Sequence, residues 1–449
     1  MFDLPYQVEF ALNKLNTAGF EAYVVGGSVR DILRGVAPDD YDITTSATPA
    51  QTMEVFKGEK IIETGLKHGT VTLLKADMPL EITTYRIDGD YIDNRRPDTV
   101  IFTPNLTEDL ARRDFTVNAC AYSKKGGLVD VFGGREDLNR KIIRCVGEPD
   151  RRFNEDALRI MRAIRFASSL GFKIEENTKK SIFKNKNLLK NISCERIAVE
   201  LVKLLMGKNA KEIILEFYEV LEVILPEIGG MKGFDQKNSW HIYDILTHTA
   251  VAVENAPLSP ALKLSALLHD CGKVECFSVD EGGVGHFYGH PEASYEKAKT
   301  ALKRLKFDND TISTVLTLIK YHDAPLSPEK PEVKKVLNLL SPDIFFMLLD
   351  LKRADNLAQN PKMTNGILST IENLEKTAKE ILKNGECFRI KDLAVNGNDL
   401  ISVGVPAGKE LGKALEFLLT AVITEQVENN KEELLRYFEQ KTNNVGSIN

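Results

Sequence analysis

The chain has 449 residues, of which 43 % are hydrophobic and 28 % are charged, and its net charge is −6. These values exclude an intrinsically disordered, collagen-like or fibrous protein. No apolar run reaches the ~18 residues that a membrane-spanning helix needs, and the N-terminus lacks the features of a secretory signal. Six cysteines without a C-x-x-C pair fit a reducing compartment. We therefore expect a cytoplasmic protein of about three domains that does not bind membranes.

The hydrophobic pattern changes along the chain. A helical stretch over 7–18 precedes a strand-like run, 22–26, that enters a glycine turn, and further strand-like runs follow at 41–44, 71–74, 80–85 and 119–122. Beyond about residue 150, amphipathic helices dominate, with examples at 156–169, 194–206, 260–268 and 343–353. The pattern predicts an α+β chain, in which a small mixed head is followed by an all-helical remainder.

Acidic residues mark a candidate metal site in the head. Asp40 and Asp42 lie two positions apart in the run DDYDIT, and side chains two apart on a strand point to the same side. Two carboxylates that close repel unless a cation lies between them. Glu81, between apolar residues of another strand-like run, offers a third ligand, since a buried carboxylate needs a partner. The alternatives are a solvated acidic turn and a glutamate that faces water from an edge strand.

A glycine turn precedes these acidic residues. The segment GGSVRD at 26–31 follows a predicted strand and opens a predicted helix. Glycines let a backbone approach an anion closely, and a helix N-terminus offers free N–H groups. The segment is either a phosphate-binding turn or an ordinary one.

A cationic helix is predicted over 156–169. Its apolar face consists of Ala157, Ile160, Met161 and Ile164. A second row, at every third position, carries charge on Asp156, Arg159, Arg162 and Arg165. Exposed helix faces usually alternate charge sign, so a row this cationic favours contact with phosphates. Asp156 and Arg159 also have the acceptors and donors to read the Watson–Crick edge of a base. The alternative is a charged surface without a ligand.

Several segments, in this order, resemble the class II tRNA nucleotidyltransferases, which are the bacterial CCA-adding enzymes and their poly(A) polymerase relatives. The segments are GGSVRD (26–31), DDYDIT (39–44), LEITTYR (80–86), RRDFTVNA (112–119), VDVFGGREDL (129–138), EDALRIMRAIRF (155–166) and CERIAVEL (194–201). The tail, from Leu393 to about Phe438, resembles the family's C-terminal region more loosely. The resemblance implies a polymerase-β-like head with a mixed sheet, followed by an all-helical neck, body and tail.

The resemblance also implies ligands, partners and residue roles. The partners would be tRNA, CTP and ATP, and Mg²⁺ would be bound by Asp40 and Asp42, with Glu81 as the third acidic residue of the catalytic site. The nucleotide would be bound by Gly27, Arg30 and Arg113 at the triphosphate, Asp114 at the ribose, Asp156 and Arg159 at the base, and Arg162 and Arg165 through phosphate or helix-positioning contacts.

Two runs distinguish the products made within this family. Residues 85–97 resemble the flexible loop of enzymes that add both C and A, and residues 64–70 resemble CCA-adding enzymes more than poly(A) polymerases. We therefore expect an enzyme that adds C, C and A to the 3′ end of tRNA without a nucleic-acid template and releases pyrophosphate. The alternatives are an enzyme that adds only A and a poly(A) polymerase.

Histidines form a second candidate site. Six of the seven lie from 241 to 322, and an adjacent His-Asp pair in this stretch follows an apolar helical run, 262–268. The arrangement resembles the HD metal-phosphohydrolase domain. That resemblance implies a second divalent metal, Mn, Ni, Co, Fe or Mg, with imidazole and carboxylate ligands. The implied ligands are His248, His269, Asp270 and Asp355.

Other residues near this second site receive weaker assignments. His290 and His322 match additional histidines of many such domains, and Lys273 is placed to contact phosphate. We expect His241 and His286 to be structural or surface residues. The alternative for the whole site is a helical bundle that keeps the HD fold without turnover.

These signals predict that the chain has four parts. They are a nucleotidyltransferase head over 1–145, a neck and body for base recognition and RNA binding over 146–235, an HD-type domain over 236–385 and a helical tail over 386–449. One rival function is a hydrolase whose head only senses nucleotide or RNA. A non-catalytic RNA-binding protein is disfavoured, because binding alone has no need of three clustered carboxylates.

Overall fold

The structure is a computed structural model that describes residues 2–63, 65–89 and 100–445. The chain divides into two compact units. Unit 1 extends to Pro226 and also contains Arg304–Phe307, and unit 2 contains the rest of the described chain from Glu227 onward. The finer division into four parts stays a prediction. Most of the loop predicted at 85–97, and Thr64 of the run 64–70, lie outside the described residues.

The head of unit 1 is built on a mixed β-sheet. The strands of unit 1 are β1 Ala22–Val25, β2 Asp42–Thr45, β3 Lys60–Ile62, β4 Thr70–Lys75, β5 Met78–Thr84, β6 Arg86–Asp88, β7 Val100–Phe102, β8 Ala121–Ser123, β9 Gly127–Val129, β10 Ile142–Ile143 and β11 Lys173–Ile174. Within the described residues, seven of them form one sheet in the order β3-β4-β5-β2-β1-β8-β9. Strands β2 and β5 pair in parallel, whereas β1 pairs antiparallel with both β2 and β8. This sheet confirms the predicted mixed head.

Helices cover the sheet and make up the rest of unit 1. They are α1 Tyr6–Thr17, α2 Gly27–Leu33, α3 Pro49–Val55, α4 Leu106–Ala111, α5 Gly134–Arg140, α6 Pro149–Glu155, α7 Leu158–Leu170, α8 Glu176–Asn185, α9 Cys194–Leu205, α10 Ala210–Glu216 and α11 Tyr218–Ile224. The apolar residues of α1, such as Leu12 and Leu15, pack with Val24, Ile43 and Ile82 of the sheet in one core. This burial anchors the strands that carry the acidic residues.

The predicted helix over 156–169 is interrupted at its start. Helix α6 ends at Glu155, Asp156 has an extended backbone with φ −137° and ψ 103°, and α7 begins at Leu158. The side chain of Asp156 accepts a hydrogen bond from the backbone N–H of Leu158 at 3.0 Å. Aspartate favours such positions because its carboxylate satisfies N–H groups at the beginning of a helix. The expectation that Asp156 shares one helical row with the arginines is therefore wrong.

The apolar face of α7 follows the prediction. Ala157, Ile160, Met161 and Ile164 have no exposed surface. Helix α7 packs against α9, which confirms the amphipathic pattern predicted there. The interruption at Asp156 therefore changes the charged row and leaves the core face of the helix as expected.

Unit 2 is mainly helical. Its helices are α12 Ile245–Asn255, α13 Pro260–Leu268, α14 Lys273–Cys276, α15 His290–Arg304, α16 Asn309–Tyr321, α17 Lys330–Leu340, α18 Pro342–Leu357, α19 Pro361–Lys383, α20 Gly397–Ser402, α21 Lys409–Ile423 and α22 Lys431–Val445. Helices α12, α13, α16 and α18 pack against one another. This group places the histidine-rich segments together. No helix among the residues that the structure describes is long and apolar enough to cross a membrane.

One element of unit 2 was not predicted. Strands β12 Ser278–Val279 and β13 Gly285–His286 form a short antiparallel hairpin. The carboxylate of Asp280 accepts hydrogen bonds from the backbone N–H groups of Gly282 and Val284, both at 2.9 Å. The strands are two residues each, which is too short for a period of two to be recognised in the sequence.

A short segment, Arg304–Phe307, follows Glu227–Lys303 of unit 2 in the sequence but belongs to unit 1, and we call it the return segment. Arg304 donates a hydrogen bond from Nη1 to the carbonyl oxygen of Ile224 at 2.8 Å. Lys306 forms an ion pair with Glu195 at 2.6 Å. Arg304–Phe307 therefore belongs to unit 1, although it follows a long stretch of unit 2 in the sequence.

Candidate functional site

The acidic residues of the head meet at the parallel pair of strands. In the register of β2 and β5, Asp42 lies beside Glu81, so both side chains leave the same face of the sheet. Strand β2 begins at Asp42, and Asp40 therefore precedes the strand instead of lying on it as expected. All three residues have exposed surface, so the burial expected of Glu81 is wrong, although protein atoms crowd the carboxylate of Asp42. The structure brings Asp40 and Glu81 close enough to Asp42 for their charges to act on it.

The electrostatics of Asp42 reflect this crowding of negative charge. Surrounding protein atoms displace water from its carboxylate, and the charges of Asp40 and Glu81 add to that effect. Together they raise the pKa of Asp42 from 3.8 to about 6, although Arg113 opposes the shift. A raised pKa shows that the ionised form lacks sufficient positive charge around it. Carboxylate oxygens are the ligands that Mg²⁺ prefers, so the residues present fit a divalent cation.

The glycine turn leaves room for the guanidinium group of Arg113 near Asp42. Gly26 has φ +76°, and a Cβ atom there would lie 3.0 Å from Nη1 of Arg113 and 3.9 Å from Oδ2 of Asp42. A side chain at this position would therefore push Arg113 away and strain the backbone. Glycine at 26 leaves Asp42 and Arg113 room on the same side of the turn.

Asp109 holds this region together, and sequence reasoning missed it. Its carboxylate has no exposed surface. It pairs with Arg112 at 2.9 Å and with Arg113 at 3.6 Å, and it accepts a hydrogen bond from Thr44 of β2 at 3.0 Å. The available signal was a charge on the apolar face of α4, between Leu106 and Leu110, where a carboxylate needs a buried partner.

A second network joins α2 to α7. Arg30 donates from Nη1 to Oδ1 of Asn118 at 2.9 Å, and the amide of Asn118 donates to Asp114 at 3.1 Å. Arg162 binds the other oxygen of Asp114 through Nε at 2.8 Å. Burial would raise the pKa of Asp114, but the Arg162 charge and the hydrogen bonds from Asn118 and Arg162 outweigh burial and lower it to about 2. Arg30, Asp114 and Arg162 are therefore brought together, through an asparagine that the sequence did not single out.

Asp114 lies between a helix and a 3₁₀ turn. Helix α4 ends at Ala111, and a 3₁₀ turn begins at Thr116. The backbone between them turns so that the N–H of Phe115 can donate to Asp114 at 2.8 Å. The polar residues of this segment favour local hydrogen bonds over a strand ladder.

The predicted base-reading residues have different partners in this structure. Arg159 is buried and donates to Glu155 at 2.8 Å and to the backbone carbonyl of Arg112 at 2.8 Å. Asp156 pairs with Arg196 of α9 at 2.8 Å. The structure therefore places both residues at the start of α7, with Arg159 fixed by buried contacts and Asp156 in a partly exposed ion pair. Their role at the base stays a prediction.

Carboxylates also balance the remaining arginines of α7. Glu200 of α9, which is 5 % exposed, pairs with Arg165 at 2.9 Å and with Arg162 at 3.6 Å. The expectation of a uniformly cationic face is therefore wrong, because acidic partners come from another helix. Glu200 could have been recognised because it interrupts the apolar face of α9 between Ile197 and Leu201.

The predicted metal ligands of unit 2 lie close together. His248 is on α12, Asp355 is on α18, and His269 and Asp270 directly follow α13 instead of lying on it. Nε2 of His248 is 2.9 Å from Asp355 and 3.2 Å from Asp270, and Nε2 of His269 is 3.5 Å and 3.3 Å from the same carboxylates. Burial would lower the pKa of His269, but the charges of Asp270 and Asp355 and their hydrogen bonds outweigh burial and raise the pKa to about 10. Without a metal the ring therefore carries a second proton, which a bound cation would replace.

The geometry of the two imidazoles suits metal ligation. Nδ1 of His248 donates to the carbonyl oxygen of Ala358 at 3.2 Å, and Nδ1 of His269 donates to that of Ala266 at 2.8 Å. Because carbonyl oxygens only accept, these contacts leave the lone pair of each neutral ring on Nε2. Metal-binding histidines are usually fixed in this way. The four residues therefore fit a divalent metal.

Further histidines surround this group. His290, His322 and Asp270 also have ligand atoms within 4.8 Å of one another. His241, expected to be structural or on the surface, contacts Lys273, with Nε2 and Nζ 3.3 Å apart. Burial and the charge of Lys273 lower the pKa of His241 to about 3. His286 lies on the β12–β13 hairpin, where it stacks on Tyr288, and so matches the expected surface role.

Three models of known protein families match segments of this chain. The family model of the poly A polymerase head domain matches residues 22–144. A model of an RNA- and SrmB-binding site of polymerase A matches residues 171–230, and a model of tRNA nucleotidyltransferase domain 2 matches residues 290–438.

Relatives match along almost the whole chain. The CCA-adding enzyme of Geobacillus thermodenitrificans is 34 % identical over 98 % of each chain, and that of Lactobacillus helveticus is 36 % identical over 95 % of each. The crystal structure of the Bacillus stearothermophilus CCA-adding enzyme in complex with CTP covers 99 % of both chains, with 30 % identity and a TM-score of 0.75. The chain therefore belongs to the CCA-adding enzyme family of tRNA nucleotidyltransferases.

Proposed function

We propose that unit 1 adds C, C and A to the 3′ end of tRNA, using CTP and ATP and no nucleic-acid template. The main support is the register of β2 and β5, which places Asp42 beside Glu81. Asp40 is also close enough to raise the pKa of Asp42. In this reaction the 3′-hydroxyl oxygen bonds to the α-phosphorus of the nucleotide, and pyrophosphate leaves. A tRNA substrate also implies a cytoplasmic location.

Asp40 and Asp42 hold Mg²⁺ in this proposal, and Glu81 completes the acidic site. A cation held there would supply charge neutralisation at the triphosphate and activation of the attacking hydroxyl. The protein's own contribution is to place the ligands: β2 and β5 fix Asp42 and Glu81 side by side, and Asp109 fixes β2 through Thr44. Phosphoryl transfer depends mainly on such positioning and on charge neutralisation.

Gly27, Arg30 and Arg113 bind the triphosphate. Arg113 lies beside Asp42, across the turn at Gly26, so a phosphate bound there meets a guanidinium next to the acidic site. Asn118 orients Arg30 through its 2.9 Å hydrogen bond. The ribose binds at Asp114, whose low pKa keeps its carboxylate ionised as a hydrogen-bond acceptor.

Asp156 and Arg159 select the base. Arg159 is held rigidly by Glu155 and by backbone carbonyls, so it presents fixed donors instead of a flexible charge. The carboxylate of Asp156 is only partly buried. It can release Arg196 and accept a hydrogen bond from an exocyclic amine, a group that cytosine and adenine both carry. Arg162 and Arg165 position α7 through Glu200.

The tRNA binds along the helical part of the chain. We assign base recognition and RNA binding to residues 146–235, with the tail over 386–449 as a further helical module. Recognition of A-form RNA relies on shape and backbone contacts, which a protein with a net charge of −6 can provide through a local basic surface. Addition of A alone is the rival product, and the sequence of the loop predicted at 85–97 argues against it.

A second activity is proposed for unit 2. His248, His269, Asp270 and Asp355 hold a divalent metal, and Lys273 contacts a substrate phosphate, as in HD-type phosphohydrolases. The supporting observation is that two buried imidazoles and two carboxylates converge within 3.5 Å, with both Nδ1 atoms bound to backbone carbonyls. Mn, Ni, Co, Fe and Mg remain the candidate metals.

The first prediction concerns the product. Purified full-length protein with Mg²⁺, CTP and ATP should extend tRNAs that lack CCA, end in C or end in CC, and should stop after the terminal A. Product lengths are measured by primer extension on a sequencing gel. Extension of the tRNA ending in CC alone, by one A, would identify an A-adding enzyme, and a long A ladder would identify a poly(A) polymerase.

The second prediction separates activity from stability at Asp42. Asp42→Asn should abolish nucleotide addition yet stabilise the protein at pH 7 by on the order of 1 kcal/mol, after allowance for solvent screening. The folded-state pKa of about 6 exceeds the ordinary 3.8, so folding favours the protonated carboxyl, and stability falls as pH rises between these values. Thermal unfolding in EDTA measures this effect.

A neighbouring aspartate provides the control for Asp42. Asp39→Asn removes the same charge from an exposed residue three positions earlier and should change neither activity nor unfolding temperature. If Asp42→Asn lowers the unfolding temperature at pH 7, the proposed charge crowding is incorrect.

The third prediction tests base selection. Asp156→Asn and Arg159→Lys should raise incorporation of UTP and GTP relative to CTP and ATP by about tenfold, the value of one lost hydrogen bond. Arg151→Ala is the matched control, because Arg151 also pairs with Glu155 but its side chain is 76 % exposed. Single-turnover incorporation of each nucleotide gives the ratios, and unchanged ratios in both variants would disprove the role.

The fourth prediction tests the unit 2 activity. Asp355→Asn should abolish hydrolysis of p-nitrophenyl phosphate and of 2′,3′-cyclic AMP with Ni²⁺, Mn²⁺ or Co²⁺, while CCA addition continues. Asp343→Asn, an exposed acidic residue on the same helix, serves as the control and should keep both activities. Equal hydrolysis by the Asp355 variant would exclude the site.

A further inference from the structure

Two exposed aromatic residues lie next to residues that contact Lys273. Trp240, the only tryptophan of the chain, is 41 % exposed, and Tyr288 is 77 % exposed. Each is the chain neighbour of a residue in contact with Lys273: Nε2 of His241 is 3.3 Å from its Nζ, and the ring centre of Phe287 is 5.3 Å from it. Exposed apolar surface beside a proposed binding group is typical of a surface that contacts a ligand.

The two segments that carry these aromatic residues pack closely against each other. The N–H of Gly285 donates to the carbonyl oxygen of Lys237 at 2.8 Å, and the amide of Asn238 donates to the carbonyl oxygen of Gly285 at 3.4 Å. A Cβ atom at Gly285 would lie only 2.2 Å from the carbonyl oxygen of Gln236, so this approach requires glycine. The segment before α12 and the β12–β13 hairpin therefore form one continuous surface beside Lys273.

Hydrogen bonds fix the backbone at Trp240. Its carbonyl oxygen accepts from the N–H of Asn360, which directly precedes α19, at 2.8 Å, and its N–H donates to Oδ1 of Asn238 at 3.2 Å. Nδ1 of His241 donates to the same oxygen at 2.7 Å, which leaves Nε2 of this ring to accept from Lys273. Because the backbone is ordered before a ligand arrives, binding at Trp240 costs little conformational entropy of the protein.

A neighbour on the hairpin supports the ring of Tyr288. It stacks on the imidazole of His286, with the ring centres 5.2 Å apart and an angle of 8° between the planes. Nε2 of His286 is in turn 2.9 Å from a carboxylate oxygen of Asp280. One face of the tyrosine ring is thus covered by the imidazole, and the exposure of Tyr288 leaves the remaining surface open to another flat ring.

We propose that Trp240 and Tyr288 form a base-binding subsite beside Lys273, so that the phosphate ester bound by unit 2 is one carried by a nucleoside. This inference rests on the proposed phosphohydrolase activity of unit 2. The ammonium group of Lys273 meets the phosphate, and the two aromatic side chains offer their faces to the base. Every base has a π face, so the subsite separates nucleoside phosphates from other phosphate esters and accepts more than one base.

Tryptophan fluorescence tests base binding without any substitution, because all of the emission comes from Trp240. Full-length protein with Mn²⁺ is mixed with adenosine 2′-monophosphate in a stopped-flow instrument, and the emission is read before turnover. Stacking of adenine should quench the emission with a saturable dependence on concentration. Glycerol 2-phosphate, also a monoester of a secondary alcohol but without a ring, should leave the emission unchanged. Equal responses to the two esters, or no response to either, would overturn the subsite.

Steady-state hydrolysis of the same two esters gives an independent readout. The ratio of kcat/KM for adenosine 2′-monophosphate to that for glycerol 2-phosphate should fall by about tenfold, through KM, in Trp240→Ala and in Tyr288→Ala, as expected for one lost stacking contact. Trp240→Phe and Tyr288→Phe keep a ring and should keep most of the ratio. Tyr6→Ala is the control, because Tyr6 is 69 % exposed but lies in unit 1, and it should leave the ratio unchanged.

The two readouts separate this inference from the activity on which it rests. Hydrolysis of both esters with an unchanged ratio in the alanine variants would overturn the subsite and leave the phosphohydrolase. Quenching by the nucleotide without hydrolysis of either ester would support base binding and overturn the phosphohydrolase. Neither quenching nor hydrolysis would overturn both.

Discussion

A charge removed from water needs an opposite charge beside it, and this requirement shapes unit 1. The guanidinium groups of α7 pack against carboxylates from distant segments, most clearly where Glu200 meets Arg162 and Arg165. Asp109 balances Arg112 and Arg113, three and four residues further along the chain, and it also accepts a hydrogen bond from the distant Thr44. Because truncation of one partner would leave the other buried and unpaired, each pair constrains two segments at once. The arginines proposed to bind nucleotide are thus placed by Asp109 and Glu200, to which no part in binding is assigned.

The same requirement also bears on the sites proposed to bind metal. Asp42 and Glu81 lie side by side without enough cationic charge, which is why the pKa of Asp42 is raised. At the second site, Asp270 is buried beside Lys273 and the imidazole of His269, whose positive charges lower its pKa. A cation would relieve the crowding at the first site, and at the second it would replace protons on the imidazoles. The donor sets differ, since the first site offers carboxylates alone and the second offers imidazole nitrogens as well, and this difference favours different metals.

The sequence predicted what depends on local periodicity. The buried face of α7, the helix over 260–268 and the α+β class were confirmed. Asp156 was misplaced because its carboxylate prefers the start of a helix to its interior. Asp109 and Glu200 were missed although each places a charge within an apolar helix face. Their distant partners, and that of Asn118, could not be predicted, because spacing along the chain carries no information about such pairs. The histidines of unit 2 were found because their residue types alone suggest metal binding.

The return segment Arg304–Phe307 affects the order in which the protein can be made. Unit 1 includes these residues, yet they are translated only after Glu227–Lys303. At typical synthesis rates, that stretch occupies the ribosome for roughly 4–15 s. During this interval unit 1 lacks the hydrogen bond from Arg304 to Ile224, and part of unit 2 has already emerged. The two units therefore cannot complete folding strictly one after the other on the ribosome, and a nascent chain released before Arg304 would contain an incomplete first unit.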